Sequence, residues 1–582
     1  MVFKTLAKSL RQYKKQAFQA PALIACEVLV ECFIPLIMAQ LIDEMKGGSL
    51  SPIIKYGIIL IVMALVSLLF GFFSGKISAI ASCGFAKNLR QDLFYKVQDF
   101  AFPDIDKFSS SSLVTRLTTD VTNVQNAFQV IIRIAVRTPL MLVFSIIMSF
   151  TINSKMALIF AALVPILGIG LFSIIFKVFP IFRKIFKKYD ALNNSVQENV
   201  SGIRDVKSYV REDYEKEKFD KSALEVRNDF TRAEKIIALS NPIMTFTIFA
   251  ALLLVSYFGA RMIISSVGSE LTAGELSSLI VYGMQSMISM MMLSMVFVMI
   301  LISSESSKRI VEVLTHSSSL ASPENAVKEV SNGSIEYKDV TFKYSENAEK
   351  NALENINLSI KSGETIGILG STGSAKTTLI QLIPRLYDVT EGSLLVGGRD
   401  VREYDLESLR NEVAIVLQKN VLFAGTIKEN LRWGNKEATD EEIERVCKLA
   451  QADEFIQQMP EKYDTFIEQG GTNVSGGQKQ RLCIARAILK KPKILIFDDS
   501  TSAVDTKTDA FIRNAMHKEI PDTTKIIIAQ RVSSVEDANR IIVMENGRIK
   551  EIGSHKELIE LNGIYKEMYE LQTMAKEVND ET

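Results

Sequence analysis

Long apolar runs alternate with polar stretches over roughly the first three hundred residues of the chain. A membrane-spanning helix needs about 20 apolar residues. Runs of that length lie at roughly Phe18–Ile42, Tyr56–Ala81, Phe128–Ile152, Met156–Phe179, Pro242–Ile264 and Leu276–Ser303. The rest of the chain alternates short apolar runs with helical patterns instead. The pattern therefore predicts a membrane half with six helices, followed by a soluble half.

Lysine and arginine concentrate in two of the connections between these predicted spans. The connections after the second and fourth spans are long and basic, whereas the other three are short and nearly free of basic residues. Basic connections remain on the cytoplasmic side of a membrane, so we expect both termini and the soluble half in the cytoplasm. The helical periodicity of the long connections also predicts that the membrane helices continue well into the cytosol.

Polar and basic segments flank the predicted membrane domain at residues 18–303. Residues 1–17 carry five basic side chains among apolar ones, and they predict an amphipathic helix on the inner membrane face rather than a cleaved signal peptide. Residues 304–332 are polar and predict a linker. The formal net charge of zero gives no reason to expect a nucleic-acid partner. The five cysteines lack C-x-x-C spacing, which favours packing roles over a metal site.

Strand-like and helix-like segments alternate through the soluble half, residues 333–582. Strands are predicted at Ile335–Tyr344, Ile356–Ile360, Thr365–Leu369, Val413–Leu417, Ile494–Phe497, Lys525–Ala529 and Ile541–Glu545. This alternation predicts an α/β domain. The acidic, helix-patterned segment Thr439–Met459 indicates a helical subdomain inserted into it.

A glycine-rich loop directly follows the strand predicted at Thr365–Leu369. The loop and the first residues after it are Gly370, Ser371, Thr372, Gly373, Ser374, Ala375, Lys376, Thr377 and Thr378. A buried strand, a glycine-rich turn and a helix that opens with Lys and Thr direct backbone N–H groups toward a polyphosphate. The loop departs from the pattern G-x-x-x-x-G-K-[ST] at one position, because Ala375 stands where the pattern has glycine.

Two further segments of the soluble half suit phosphate chemistry. The apolar run Lys493–Phe497 ends in Asp498 and Asp499, and a carboxylate at the end of a buried strand is where Mg²⁺ on nucleotide phosphates would be held. The segment Ser475, Gly476, Gly477 and Gln478 precedes a helical run, which suits a second anion. A second anion site makes sense if two such domains face each other and share nucleotides.

These elements, taken in order, resemble a half-transporter of the ATP-binding cassette superfamily, of the exporter type with six spans and one nucleotide-binding domain. The resemblance runs from about Phe3 to the end of the chain. It implies that ATP and Mg²⁺ bind at the glycine-rich loop, that Tyr344 stacks on adenine, and that Ser475–Gln478 form the signature motif. It also places Gln418 in the Q-loop, Asp498 in the Walker B motif and Ser502–Asp505 in the D-loop. Thr377, Gln418 and Asp498 would then hold the metal.

Two cytoplasmic segments are similar to the coupling regions of these exporters, through which the membrane domain contacts nucleotide-binding domains. The segment Leu113–Asp120 resembles the first of them. The segment Glu198–Glu212 resembles the second.

Four positions depart from the family pattern, and all lie at functional positions. Asp499 stands where the family has a catalytic glutamate, and its shorter side chain should move the carboxylate away from the attacking water. Gln530 stands at the switch histidine, and the chain's three histidines, His316, His517 and His555, all lie elsewhere. Ala375 and Gln469 replace the usual glycine and glutamate of their loops.

The departures imply a division of labour between two chains. The chain's own Walker site is expected to bind ATP and to hydrolyse it slowly or not at all. The intact signature motif would complete a competent site on a second half-transporter in a heterodimer. A drifting but symmetric homodimer is the alternative. The expected location is the plasma membrane of a bacterial cell, as a multi-pass protein.

The substrate is expected to be a hydrophobic or amphipathic small molecule. Methionine provides flexible, polarizable surfaces that accept many shapes, and the sixth span carries Met284, Met287, Met291 and Met295 among others. Methionines that face lipid or pack against other helices are equally compatible with the sequence. Glu27 and Glu31 share a helix face in the first span and suggest a cavity or a cationic ligand. Alternatively, they face the mouth on the cytosolic side, or they pair with Arg133 or Arg137 of the third span.

Other functions are compatible with the same architecture. One is a nucleotide-gated regulatory membrane subunit with little transport of its own. Others are the transport of a lipid or a peptide, or the uptake of an iron–siderophore chelate.

Overall fold

Contacts between residues divide the chain into two compact units. The first comprises residues 1–99 and 110–316, and the second comprises residues 100–109 and 317–582. The structure is a computed structural model, and it describes residues 2–45, 50–345, 348–499 and 505–580. The predicted D-loop residues Ser502 to Val504 lie outside the described residues.

The first unit consists of helices. They are Val2–Lys8, Lys14–Glu44, Leu50–Gln98, Ser110–Thr115, Val121–Ile152, Ser154–Ser201, Ile203–Ser208, Glu212–Ile237, Ser240–Ser266 and Ala273–Thr315, with a 3₁₀ turn at Arg11–Tyr13 and a π-helical turn at Arg116–Asp120. Among the described residues, six helical segments are long and apolar enough to cross a membrane. The prediction of six spans is therefore confirmed.

The spanning helices are longer than a bilayer requires. Leu50–Gln98 has 49 residues, which corresponds to about 74 Å at 1.5 Å per residue, against about 30 Å for the hydrocarbon core. Side-chain caps define two of the short turns between helices. Asn153 accepts hydrogen bonds from the backbone N–H groups of Lys155 and Met156, at 3.1 and 3.2 Å. Thr272 and Glu275 form a reciprocal capping box where the last spanning helix begins.

The linker predicted at residues 304–332 begins later in the structure, after Thr315. Residues 304–315 continue the last helix of the first unit, which ends at Thr315. The serines of this segment gave it a polar composition, but Ser306, Ile310 and Val313 are buried at helical spacing. Ser306 donates a hydrogen bond to Asp120 at 2.9 Å, so its polarity is satisfied by a neighbouring helix.

The second unit combines strands and short helices. Its strands are β1 Ile335–Phe342, β2 Leu353–Ile360, β3 Thr365–Gly370, β4 Glu391–Val396, β5 Arg399–Asp400, β6 Val413–Val416, β7 Gly425–Thr426, β8 Phe466–Ile467, β9 Ile494–Asp498, β10 Thr524–Ile528, β11 Arg540–Glu545 and β12 Arg548–Gly553. Its helices are Phe102–Phe108, Lys376–Leu382, Leu406–Glu412, Ile427–Leu431, Asp440–Leu449, Asp453–Gln457, Gly476–Leu489, Thr506–Glu519, His555–Leu561 and Ile564–Asp580.

The strands form one mixed sheet, one antiparallel sheet and a short hairpin-like pair. The six-stranded sheet has the order β12-β11-β3-β10-β9-β6, in which every pair except β11/β12 is parallel. The four-stranded sheet has the order β2-β1-β4-β5 and is antiparallel. The α/β prediction is thus confirmed, and the carboxyl ends of β3 and β9 meet at one edge, where ligands of such sheets bind.

The large sheet is buried on both faces. Ile366 and Ile368 of β3 pack with one hydrophobic cluster, which includes the antiparallel sheet, whereas Leu369 packs with a second cluster. The second cluster also contains Ile443 and Cys447 of the predicted helical insertion. The cores on both faces hold the loop after β3 in place.

Candidate functional site

The glycine-rich loop connects β3 to the helix Lys376–Leu382, as predicted. Gly370 has a φ of 151°, and a Cβ at this position would lie 2.2 Å from the carbonyl oxygen of Met544. Only glycine fits this close approach between two strands. The loop borders a cavity of about 710 Å³. The cavity is lined by Tyr344, Lys350, Asn351, Ala352, Thr372, Gly373, Ser374, Ala375, Lys376, Thr377, Thr378, Gln418, Asp498, Asp499, Ile528, Gln530, Asn546 and Gly547.

Lys376 directs its ammonium group toward the loop. Its Nζ atom donates hydrogen bonds to the carbonyl oxygens of Gly370 and Ser371, both at 2.8 Å, and approaches the Ser374 hydroxyl at 3.3 Å. Burial lowers the pKa of Lys376 from its ordinary value, and the nearby carboxylates of Asp499 and Asp498 oppose that shift. The amine is thus held at the loop, where it could act as a point charge on a bound phosphate.

Ala375 adopts the conformation that explains the family's preference for glycine. Its φ of 70° and ψ of 26° lie in the left-handed region, which costs a residue with a Cβ about 1–2 kcal/mol. Its side chain packs against the hydrophobic cluster beneath the loop. The loop therefore keeps the shape of a phosphate cradle despite the substitution, and part of the cost is offset by packing.

Thr377 and Asp498 supply the oxygen atoms expected for Mg²⁺. The Thr377 hydroxyl donates to Asp498 Oδ1 at 2.9 Å. Burial raises the pKa of Asp498, and the hydrogen bond from Thr377 opposes that shift. A hydroxyl and a carboxylate beside a phosphate cradle fit a hard cation that also binds phosphate oxygens. Gln418 lines the same cavity, so the three predicted metal ligands come together.

Asp499 is engaged by the side chains of two glutamines. Gln530 Nε2 donates to Asp499 Oδ2 at 2.6 Å, and Gln418 Nε2 approaches the same oxygen at 3.3 Å. Burial raises the pKa of Asp499, and the hydrogen bond from Gln530 opposes the shift. A general base must reach the proton that it abstracts. Here one carboxylate oxygen of Asp499 already accepts hydrogen bonds from both Gln530 and Gln418.

Tyr344 lines the cavity from a position just after β1. It is half exposed, and its hydroxyl lies 2.9 Å from the Thr378 hydroxyl. Its ring meets the Tyr387 ring edge to face, with centroids 5.2 Å apart and an interplanar angle of 88°. An exposed, supported aromatic face is suited to stacking on a base.

Several residues that line the cavity were not predicted from the sequence. Lys350 and Asn351 precede β2, whereas Asn546 and Gly547 form the tight turn between β11 and β12. An Asn-Gly pair between two apolar runs is a strong hairpin signal, and it would have predicted β12 as well. The sequence carried no comparable signal for Lys350 or Asn351.

The signature residues begin a helix, as predicted, but they do not line this cavity. Ser475 caps the helix Gly476–Leu489 by accepting from Gln478 N at 3.3 Å, and Gln478 Oε1 accepts from Ser475 N at 3.0 Å. Gly477 belongs to the first turn of the helix, and a Cβ added at Gly476 would meet no atom within 4 Å. The Gln478 N–H is thus satisfied by Ser475 of the same chain, and the space beside the Cα of Gly476 is open. Asp505 similarly caps the helix Thr506–Glu519 by accepting from Thr508 N at 2.9 Å.

The predicted first coupling region is displaced in the structure. Leu113–Asp120 belongs to the first unit, where the Asp120 carboxylate accepts from Arg309 Nε at 2.7 Å. The segment that belongs to the second unit is residues 100–109. Within it, Asp106 Oδ2 accepts a hydrogen bond from the Tyr387 hydroxyl at 2.7 Å. The segment that groups with the second unit therefore lies N-terminal to the predicted segment Leu113–Asp120.

The predicted intramembrane carboxylates pair with an arginine of the third span. Arg137 contacts Glu27 through Nη1, and its Nη2 donates to Glu31 at 2.7 and 2.9 Å. This is the alternative pairing that the sequence left open, and Arg133 has no part in it. The structure therefore gives no support to Glu27 or Glu31 as ligands for a cationic substrate.

The predicted methionines divide between a cavity and the packed interior of the first unit. Met291 and Met295 line a cavity of about 880 Å³. Met287 is buried in a hydrophobic cluster, where it packs against neighbouring helices. Met284 is partly exposed and borders the same packed region. Two of the four predicted residues are thus available to a ligand in this cavity.

Comparison with known proteins identifies both halves of the chain. Residues 20–291 match the ABC transporter transmembrane region, and residues 353–502 match the ABC transporter family. A Bacillus subtilis protein, described as the uncharacterized ABC transporter ATP-binding protein YfiB, is 35% identical over 564 residues, which cover 97% of each chain. Another B. subtilis protein, YgaD, provisionally described as a multidrug export ATP-binding/permease protein, is 30% identical over 98% of this chain and 100% of its own.

A solved structure of a bacterial Atm1-family ABC exporter with ATP bound is similar in fold. Its TM-score is 0.83, and the match covers 97% of this chain and 98% of that chain at 24% sequence identity. The chain therefore belongs to the ABC transporter family. It is a half-transporter of the exporter type, a multi-pass membrane protein with a cytosolic nucleotide-binding domain. This domain belongs to the class of domains that bind ATP.

Proposed function

We propose that this chain is the degenerate-site subunit of a heterodimeric exporter that moves hydrophobic or amphipathic compounds out of the cytoplasm or the inner leaflet. Its own Walker site binds ATP and Mg²⁺ and hydrolyses the nucleotide weakly. Its signature motif, Ser475–Gln478, completes the active site of a partner half-transporter. The observation that carries the proposal is the contact of Gln530 and Gln418 with the same oxygen of Asp499.

The environment of Asp499 explains why hydrolysis at this site would be slow. The carboxylate is one methylene shorter than a glutamate, and Gln530 Nε2 holds it at 2.6 Å. Gln530 is neutral, so it cannot place a positive charge beside the γ-phosphate as an imidazolium can. None of the three histidines lines the cavity in the described part of the chain. ATP binding depends on the loop, Lys376 and Tyr344, which this arrangement leaves in place.

Exposed apolar surfaces support the presence of a partner chain. In the first unit, Tyr209 and Val210 follow the helix Ile203–Ser208 in the second predicted coupling region, and they are 76% and 80% exposed. In the second unit, Phe423 and Trp433 stack with ring centroids 4.0 Å apart while both remain exposed. Clustered exposed aromatic side chains mark interaction surfaces. A second half-transporter is the occupant that we propose for them.

The test compares ATP hydrolysis by two preparations in lipid nanodiscs. The first contains this chain alone, and the second contains this chain with the half-transporter encoded beside it. Only the second should hydrolyse ATP rapidly. Gly477→Asp places a negative charge at the helix N-terminus that would face the partner's ATP, so the activity of the pair should fall about a hundredfold. Comparable activity from the chain alone would refute the heterodimer and favour a homodimer.

A matched variant separates the two sites of the pair. Asp499→Asn removes the carboxylate of the degenerate site, and we expect it to change the activity of the pair less than about twofold, since catalysis lies at the other site. Conversely, the double variant Asp499→Glu with Gln530→His should raise hydrolysis by the chain alone by about tenfold or more. A pair whose activity disappears with Asp499→Asn would contradict the proposed asymmetry. A pair that hydrolyses ATP but transports none of the compounds tested would favour the regulatory alternative.

A further inference from the structure

The cavity of the first unit has an apolar body and one charged end. Its volume is about 880 Å³, within the range of about 300–1,000 Å³ that is typical of small-molecule sites. The apolar wall is formed by the helix Ser154–Ser201 between Leu171 and Phe182, and by the last spanning helix from Met291 to Ile302. At 1.5 Å per residue, the wall from Leu171 to Arg183 is about 18 Å long.

Charged and polar residues besides Arg183 line one end of this cavity. They include Asn123, Glu305, Ser306 and Arg309, and Ser240 and Asn241 at the start of the helix Ser240–Ser266 also line the cavity. This end lies on the cytosolic side of the span, because the basic connections of the chain begin there. A ligand that fills the cavity would therefore place its polar group near the inner leaflet surface and its apolar part among the methionines.

Most of the charges around the polar end are already paired. Arg309 Nε donates to the buried carboxylate of Asp120 at 2.7 Å. Glu305 accepts from Lys308 at 2.7 Å. Each of these pairs is neutral as a unit, so neither sets the sign of charge that the cavity presents.

Arg116 and Glu312, the other ion pair beside this end, are 3.0 Å apart and are likewise neutral together. Arg183 differs from all of them. Among the residues that the structure describes, no hydrogen bond or ion pair to Arg183 is found, although its field reaches Glu305. Within the described part of the chain, the unpaired charge that lines the cavity is therefore the Arg183 guanidinium, and a guanidinium is suited to phosphate and carboxylate groups.

We infer that this cavity binds a single-chain amphipath with an anionic head group, such as an alkyl phosphate, with the head group on Arg183. This inference rests on the proposed export function and names the substrate class for it. The apolar wall accommodates the chain, and Met291 and Met295 adapt to its shape. A cationic amphipath of the same length would place its charge against Arg183 and would bind more weakly.

The test measures binding without nucleotide, so that it is independent of the ATPase asymmetry. Full-length protein in nanodiscs of zwitterionic lipid is titrated with radiolabelled dodecyl phosphate and with dodecyltrimethylammonium, and binding to empty nanodiscs is subtracted. We expect saturable binding of the phosphate, with a Kd at least about tenfold lower than that of the cation. Arg183→Gln should raise the Kd for the phosphate about tenfold, the size of one charge-assisted hydrogen bond.

Two variants serve as controls for Arg183→Gln. Arg183→Lys keeps the charge and should remain within about threefold of the wild type, since the ion pair survives without the bidentate contact. Lys184→Gln removes an exposed charge that does not line the cavity, and it should leave the Kd unchanged. Equal binding of the cation, absent binding of the phosphate, or an equal loss with Lys184→Gln would each overturn the inference. If binding follows the expectation while the ATPase experiments fail, only the proposed heterodimer is lost.

Discussion

Ala375 adopts a backbone conformation that favours glycine, the residue that the family usually has at this position of the loop. Its left-handed conformation, with a φ of 70°, is imposed by the turn from β3 into the helix Lys376–Leu382, and a Cβ is unfavourable there. Ala375→Gly should leave the thermal midpoint of the nucleotide-binding domain unchanged or higher, because relief of strain offsets the greater freedom of the unfolded chain. Ala375→Val should lower the midpoint by about 4 °C or more, because a β-branched residue tolerates this region worst.

The measurement uses the fluorescence of Trp433, which is the only tryptophan in the chain and lies in the nucleotide-binding domain. Binding of a fluorescent ATP analogue provides the second readout, and the Ala375→Gly variant should bind it at least as tightly as the wild type. Ala438→Val is the control, because this buried alanine belongs to the other hydrophobic cluster of the domain and reports the cost of overpacking alone. An Ala375→Val variant as stable as the wild type would contradict the assigned backbone conformation.

At the scale of elements, the apolar pattern predicted the spans and the buried strands because both signals are strong. The runs at Thr365–Leu369 and Ile494–Phe497 are continuous, and their strands are buried on both faces of the sheet. The strands β4 and β12 were missed, because each has a half-exposed face and few consecutive apolar residues. Likewise, the last spanning helix was predicted to end at Ser303 but ends at Thr315. A serine-rich segment resembles a linker in composition even where its serines are buried.

The candidate site was predicted from motifs, and the structure adds contacts that motifs do not encode. The loop, the aspartates and Tyr344 come together around one cavity. The hydrogen bond from Gln530 to Asp499 could not be derived from the sequence, because it depends on how β9 and β10 align in parallel. The sequence left several possible partners for Glu27 and Glu31, because the rotation of each helix about its axis decides which side chains meet. The structure pairs both carboxylates with Arg137.

Tyr387 links the predicted adenine site to the short helix Phe102–Phe108 within the second unit. Its ring supports Tyr344, its hydroxyl donates to Asp106 at 2.7 Å, and its ring centroid lies 6.1 Å from that of Phe102. Burial raises the pKa of Tyr387, so the hydroxyl remains a donor throughout the physiological range. Tyr387→Phe should loosen residues 100–109 while retaining the stacked rings, with amide exchange about tenfold faster in that segment.

Hydrogen exchange with ATP present, followed by mass spectrometry, measures this change. Tyr404→Phe is a matched control, because its hydroxyl donates to Val396 O at 2.8 Å in the same unit but away from the segment. ATP affinity should change less than about twofold in Tyr387→Phe, since the aromatic support of Tyr344 persists. Unchanged exchange in residues 100–109, or an equal change in the Tyr404→Phe variant, would show that the hydrogen bond does not hold this helix.

At the scale of the whole molecule, a net charge of zero conceals an uneven distribution. Residues 1–26 contain no acidic side chain. Arg11 pairs with Asp92, whereas Lys4, Lys8, Lys14 and Lys15 are exposed. Phe3 and Phe18 are also exposed, at 75% and 80%. Exposed lysines and aromatic rings at the start of the first spanning helix suit the surface of an anionic leaflet, where each lysine contributes about 1 kcal/mol.

Neutralising these four lysines should therefore weaken the response of the protein to anionic lipid. In nanodiscs rich in phosphatidylglycerol, the wild type should unfold at a higher temperature than in neutral phosphatidylcholine. Lys4→Gln, Lys8→Gln, Lys14→Gln and Lys15→Gln combined should remove most of that difference, because the electrostatic attraction is lost while the apolar contacts remain. The same four-charge change at exposed lysines of the nucleotide-binding domain, Lys328, Lys361, Lys436 and Lys462, is the control. An equal loss in both variants would indicate a general effect of net charge, and would count against a specific contact between the N-terminal segment and the leaflet.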